Sequence, residues 1–268
     1  AAAIPPVLAG RDLMGCAQTG TGKTAAFALP ILQRLYQERP AGKTQNIRAL
    51  ILTPTRELAL QIQENFVAYG KRLPLRSCVI FGGVGQQPQV EQLKRGVDIL
   101  VATPGRLNDL IGQGFISLAQ IQTVVLDEAD RMLDMGFFKD VTRILDKIKN
   151  RRNLGLFSAT ISQEVMTVSW MYQRDEVEIT VEPKQEDRPD IDQYSLTCTP
   201  LEKAETTLRL IRSQGYERVM IFCNTKHMCQ RVSDEFQRAG LDCDCIHGDI
   251  RQSQREKTMQ RYREGKLP

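Results

Sequence analysis

Short apolar runs rich in β-branched residues alternate with amphipathic stretches through the first 182 residues of the chain. RDLMGC precedes KTAAFALPILQRLY, IRALILT precedes RELALQIQENFVAYG, and SCVIF precedes QQPQVEQLKRG. VDILVAT then leads to RLNDLIGQG, TVVLD to FFKDVTRILDKIKN, and NLGLF to SQEVMTVSWMY, with DEVEITVE as a closing strand. The runs are continuously apolar, as expected of strands buried on both faces. Such alternation predicts an α/β fold with a parallel sheet flanked by helices. Right-handed crossovers would bring the carboxyl ends of the strands, with their loops, to a common edge.

The pattern breaks at PKQEDRPD (183–190), a charged stretch with two prolines and no apolar period, which reads as a linker. Beyond it the alternation restarts. DQYSLTC, RVMIFCN and LDCDCIHG are expected strands; LEKAETTLRLIRSQG, HMCQRVSDEFQRAG and SQREKTMQRYREG are expected helices. The division is therefore a first domain at 1–182, a linker at 183–190, and a second, smaller unit at 191–268. No repeat of solenoid length and no low-complexity tract occurs.

Composition narrows the class. With 41% hydrophobic and 25% charged residues, the chain has the makings of a globular core. Thirty-six basic residues against 32 acidic ones leave +4, with a pI near 8.7. That balance permits a nucleic-acid partner without demanding one. No apolar run approaches the roughly 20 residues of a membrane-spanning helix, and the opening AAAIPPVLAG does not resemble a signal peptide. A cytoplasmic setting is expected. The absence of an initiator Met suits a fragment or processed product. Seven cysteines, an odd number scattered mostly through strand-like runs, read as reduced thiols. Cys243 and Cys245 would share one face of a strand, where packing is favoured over metal binding.

Chemistry enters at VVLDEAD (124–130), where an apolar run delivers Asp127, Glu128 and Asp130 together. Crowded carboxylates resist burial unless a cation is present. A source lies upstream in AQTGTGKT (17–24), between a strand and a helix starting near Lys23. Its residues Ala17, Gln18, Thr19, Gly20, Thr21, Gly22, Lys23 and Thr24 read as a phosphate-binding loop, although the usual first glycine is Ala17 here. Lys23 can reach the β- and γ-phosphates of a bound nucleotide, and the Thr24 hydroxyl can ligate Mg²⁺. Asp127 would hold the same Mg²⁺, and Glu128 would orient and deprotonate the attacking water. Taken singly, the loop could be only a turn and the acids only helix caps. Together they predict an NTPase in which Lys23, Asp127 and Glu128 converge.

Beyond AQTGTGKT and DEAD, the chain carries in order PTRELA (54–59), GG (82–83), TPGR (103–106), SAT (158–160), IFCNT (221–225) and QSQR (252–255). On these motifs it resembles, from end to end, the DEAD-box ATP-dependent RNA helicases of the second helicase superfamily. The resemblance implies two tandem RecA-like (P-loop NTPase) domains with parallel sheets flanked by helices, the second truncated. It implies ATP and Mg²⁺ as cofactors, and single-stranded or short duplex RNA as partner, held by its backbone with little sequence specificity. Pro54, Thr55, Arg56, Gly82, Gly83, Thr103, Pro104, Gly105 and Arg106 would grip RNA, and Asn224, Thr225 and Arg255 would contact RNA or the other domain. Ser158 and Thr160 of SAT can hydrogen-bond the DEAD acids; with Asp130 they are assigned to coupling hydrolysis with unwinding. His247 is expected to make a structural hydrogen bond. A monomer is expected, with protein partners unassigned.

Departures from the family pattern are equally specific. The glutamine that reads adenine would fall just before Ala1, and the family continues past REGKLP into a strand and two motifs, one supplying arginine fingers. Loss of such a finger costs about 10³ to 10⁵ in rate, so weak nucleotide binding, poor turnover and an unpaired second-sheet edge are expected. A DNA translocase and an RNA clamp switched by ATP are the two other classes that share parts of the motif set.

Overall fold

A computed structural model describes residues 1–18, 20–39, 46–182 and 191–267. Thr19 of the phosphate loop and the expected linker at 183–190 lie outside the described residues. The chain divides into two compact units, Ala1–Arg188 and Pro189–Pro268.

The first unit is built on seven parallel strands: β1 (Leu13–Ala17), β2 (Ala49–Leu52), β3 (Ser77–Ile80), β4 (Ile99–Ala102), β5 (Thr123–Asp127), β6 (Asn153–Ser158) and β7 (Val177–Val181). Their order across the sheet is β3-β4-β2-β5-β6-β1-β7. Among the described residues eight α-helices accompany them: α1 (Ile4–Leu8), α2 (Lys23–Gln37), α3 (Arg56–Tyr69), α4 (Gln87–Lys94), α5 (Pro104–Gly112), α6 (Ala129–Met132), α7 (Phe138–Leu145) and α8 (Gln163–Tyr172). The alternate residues of β2 to β6 separate two cores. Ala49 and Ile51 face Phe27, Ile31, Ile62 and Phe66 of α2 and α3. Leu50 and Leu52 join the opposite cluster, with Val90 of α4, Leu107 of α5, Val141 of α7 and Val165 of α8. Burial on both faces is why these strands read as continuous apolar runs.

Each strand expected in the first unit is present, and each expected helix follows its strand. Residues 129–136, between the expected strand TVVLD and the expected helix FFKDVTRILDKIKN, enter α6 and a π-helical turn (Leu133–Phe137), in which Gly136 at φ 87° breaks the run into α7. No helix among the described residues is long and apolar enough to cross a membrane.

In the second unit the expected helices form as α9 (Lys203–Gln214), α10 (Lys226–Arg238) and α11 (Gln252–Arg263). The three expected strands do not form: among the described residues DQYSLTC, RVMIFCN and LDCDCIHG make no strand ladder. An apolar run becomes a strand only where a neighbour takes its backbone N–H and C=O groups. Among the described residues no neighbouring strand does so here, and Phe222 in RVMIFCN is 88% exposed. Cys243 and Cys245 nevertheless both turn toward α10, where their sulfurs contact Ser233 and Gln230.

Candidate functional site

The sheet order brings the carboxyl ends of β5, β6 and β1 side by side. Beyond β1, the phosphate loop is exposed at Gln18 and from Gly20 through Gly22. Thr21 donates from Oγ1 to the Gln18 carbonyl at 2.8 Å, closing the loop on itself. Gly22 caps α2 at φ 83°, a left-handed conformation that a side chain would strain. The first N–H groups of α2, those of Lys23 and Thr24, have no acceptor within the helix, as an anion site requires.

Lys23 reaches across β6 to the end of β5, where its Nζ lies 2.7 Å from Glu128 Oε1. Glu128 follows the strand at φ 51°, ψ 49°, a left-handed position rare for a non-glycine residue. That turn starts α6 and swings the carboxylate toward the lysine. Asp127 is 5% exposed, and its Oδ1 is buried without a hydrogen-bond donor. Burial pushes its carboxyl up to about 6, against the pull of Lys23 and with Glu128 adding to the rise. A donorless buried carboxylate oxygen beside an open phosphate loop fits a hard cation. Asp127 and Thr24 are the residues that would hold Mg²⁺.

Asp130 is tied to the end of β6. Its Oδ2 accepts from Thr160 N at 2.8 Å and Thr160 Oγ1 at 2.7 Å, and its own N–H donates to Ser158 Oγ at 3.0 Å. Burial raises the Asp130 carboxyl, but the hydrogen bonds from Thr160, Arg131 and Ser158 outweigh it and hold the group below its ordinary value. The hydroxyls of SAT therefore do bond an acid of DEAD, as the sequence reading anticipated. Cys16 Sγ adds a contact to the Ala159 carbonyl at 3.5 Å, joining β1 to the same loop.

The other half of the sheet edge gathers the ends of β3, β4 and β2. Pro54 is buried, and Thr55 caps α3 by accepting from Leu58 N at 3.3 Å. Arg56 lies over Gly83, whose φ is 76°; a Cβ there would overlap the guanidinium. Thr103 and Pro104 are buried at the start of α5, Gly105 is exposed, and Gly82 and Gly83 form the adjoining loop. Arg106 turns inward, donating to Val84 O at 2.9 Å and to Gln89 Oε1 at 3.2 Å. Gln89 was missed by the sequence reading. Its one available signal is a polar residue at an inward position of α4, beside Val90 and one turn before Leu93.

In the second unit Asn224 is exposed just before α10, and Thr225 caps that helix by accepting from Met228 N at 3.2 Å. Arg255 donates to Gln252 Oε1 at 3.1 Å on α11. His247 makes the structural hydrogen bond expected of it, to Gln230 Oε1 at 3.2 Å.

Residues 1–168 match the family model of the DEAD/DEAH box helicases, and residues 202–268 match that of the helicase conserved C-terminal domain. The ATP-dependent RNA helicase CshA of Limosilactobacillus reuteri is 39% identical over 98% of this chain and 52% of its own length. The RNA helicase CrhR of Synechocystis sp. is 41% identical over 99% of the chain and 53% of its own. The ATP-dependent RNA helicase DeaD of Escherichia coli K12 is 36% identical over 98% and 41% respectively. The chain thus spans about half the length of these relatives, or less. A crystal structure of a DEAD box protein from the hyperthermophile Methanococcus jannaschii superposes with a TM-score of 0.63 at 34% identity, covering 99% of this chain and 70% of that one.

Proposed function

This chain belongs to the DEAD/DEAH box helicase family, and from that premise we propose that it is the helicase region of an ATP-dependent RNA helicase. ATP with Mg²⁺ binds at residues 17–24, 127 and 128 of an ATP-binding domain spanning 1–182. Residues 191–268 supply part of the second RecA-like domain. RNA, single-stranded or in short duplexes, is held by its backbone at the loops 54–56, 82–83 and 103–106, with Asn224, Thr225 and Arg255 contributing from the second unit. The protein works as a cytoplasmic monomer.

One observation carries the reading: the Lys23 ammonium and the Glu128 carboxylate pair at 2.7 Å beside the donorless Oδ1 of Asp127. The amides at the start of α2 bind phosphate oxygens, and Lys23 exchanges its pairing with Glu128 for the β- and γ-phosphates. Glu128, relieved of that partner, orients water and takes its proton. Bound Mg²⁺ supplies charge neutralisation on the transferred phosphoryl group. Asp130, fixed by Ser158 and Thr160, transmits the change to the β6 loop without taking part in the chemistry.

Glu128→Gln tests this. Single-turnover ATP hydrolysis with protein in excess is expected to slow by about 10² to 10⁴, while binding of labelled RNA in the presence of an ATP analogue persists. Unchanged hydrolysis would leave only an ATP-switched clamp, and equal displacement of DNA and RNA duplexes would favour a DNA translocase.

A further inference from the structure

Gln89 and Arg106 grip the Gly82–Gly83 loop from both sides. Gln89 is 7% exposed on the inward face of α4. Its Nε2 donates to the Phe81 carbonyl at 3.1 Å, and its Oε1 accepts from Phe81 N at 3.2 Å. The side-chain amide thus pairs with the backbone of the residue just before Gly82, and both of its ends are fixed by their partners. The same Oε1 accepts from Arg106 Nη1, while Arg106 Nη2 holds the carbonyl of Val84, the residue just after Gly83. Arg106 Nε also faces Asp109 at 4.0 Å, and the arginine side chain is only 10% exposed.

A loop with two adjacent glycines has wide conformational freedom, so presenting its amides in one shape needs a brace from outside. The braces are a neutral amide and an arginine whose guanidinium is turned into the protein.

We infer that Gln89 and Arg106 are positioning residues for residues 82–84, and that Arg106 acts through Val84 and Gln89 and not by touching a phosphate. The inference rests on the reading that this loop faces RNA. It reassigns the arginine of TPGR from the gripping surface to the scaffold beneath it, and it adds Gln89, which no motif marks.

The two roles of Arg106 separate by charge. Binding of a fluorescein-labelled oligouridylate of about ten nucleotides, with an ATP analogue in excess, is followed by anisotropy from about 50 to about 300 mM KCl. Gln89→Ala is expected to lower affinity roughly five- to tenfold with no change in the slope of log K against log salt. Arg106→Lys keeps the charge but cannot span both Val84 O and Gln89 Oε1, so it should lose affinity to a similar degree, again at constant slope. A phosphate contact behaves oppositely: Arg106→Lys stays near the parent, and Arg106→Gln flattens the slope by about 0.7. That pattern overturns the inference, as does undiminished affinity in both Gln89→Ala and Arg106→Lys.

A second readout needs no RNA. In Gln89→Ala, amide exchange at 81–85 should accelerate, first at Phe81 whose N–H Gln89 holds, while β2 and β5 keep their protection. Unchanged exchange at 81–85 refutes the positioning role itself. A parent chain that fails to bind the oligouridylate refutes instead the reading of the loop as an RNA site.

Discussion

Asp127, the proposed Mg²⁺ ligand, works against the fold that holds it. Its carboxyl is buried and pushed up to about 6, above the roughly 3.9 of a carboxyl in an unfolded chain. The protonated form therefore favours the folded state; that contribution is complete below about pH 4 and disappears as the pH rises through about 6. At neutral pH the free protein carries a buried carboxylate that Lys23 only partly compensates, because the lysine lies on Glu128. Asp127→Asn should accordingly stabilise the ligand-free chain by roughly 1–3 kcal/mol above pH 6. The advantage over the parent should grow between about pH 4 and about pH 6 and then level off. Urea melts at a series of pH values measure it, and a variant no more stable than the parent at pH 8 would show that the burial penalty is absent. The same substitution should abolish Mg²⁺-dependent stabilisation by ATP. At this scale the sequence marks out the acids at the end of β5, because charge at the end of an apolar run is conspicuous. It says nothing of Gln89, one glutamine among several in QQPQVEQ, whose partners are Phe81, just after β3, and Arg106 of α5.

Among elements, strand order does the sorting. The ends of β5, β6 and β1 carry the acids, SAT and the phosphate loop, while β3, β4 and β2 end in GG, TPGR and PTRELA. Alternating apolar runs revealed that these strands exist, since burial on both faces leaves a plain signature. Their order was not legible, because four of the six neighbouring pairs are not consecutive in the chain and are joined in part by isolated polar contacts that no apolar run announces. One such contact is the buried pair of Arg48 and Asp98, 2.8 Å apart just before β2 and β4. Arg48 also donates to Leu35 O at 3.1 Å, and Asp98 accepts from Arg76 N at 3.0 Å. Asp98→Ala strands a buried guanidinium and should cost about 3–5 kcal/mol in chemical denaturation. The double replacement Arg48→Met with Asp98→Leu should cost less than Asp98→Ala alone, since no charge is left unpaired. The reverse ranking would mean that the pair contributes through attraction rather than through mutual compensation. The pair sits where β2 and β4 begin, the two paired strands that lead into the loops at 54–56 and 103–106.

Across the whole molecule, one sequence pattern has two outcomes. IRALILT and RVMIFCN are equally apolar and both precede a helix capped by threonine, yet the first becomes β2 between β4 and β5 and the second joins no ladder. A strand is a property of a pair, and a single run cannot announce whether a partner will stand beside it. The consequence is uneven local stability. In the first unit the amides of β2, β4 and β5 donate into ladders between two buried faces. In the second, residues 218–223 and 241–247 lack ladder bonds, with Phe222 88% and Met220 53% exposed. Amide exchange depends on opening free energy, which is small where backbone groups already face water. Hydrogen exchange on the 268-residue chain should therefore label 218–223 and 241–247 within seconds to minutes, while β2 and β5 exchange at least about 10³-fold more slowly. ATP with Mg²⁺ should deepen protection at 18–25 and 127–130 without slowing exchange at 218–223. Slow exchange at 218–223 in the free chain would mean that these residues do find a strand partner in solution, and the sheet expected of the second unit would then be recovered.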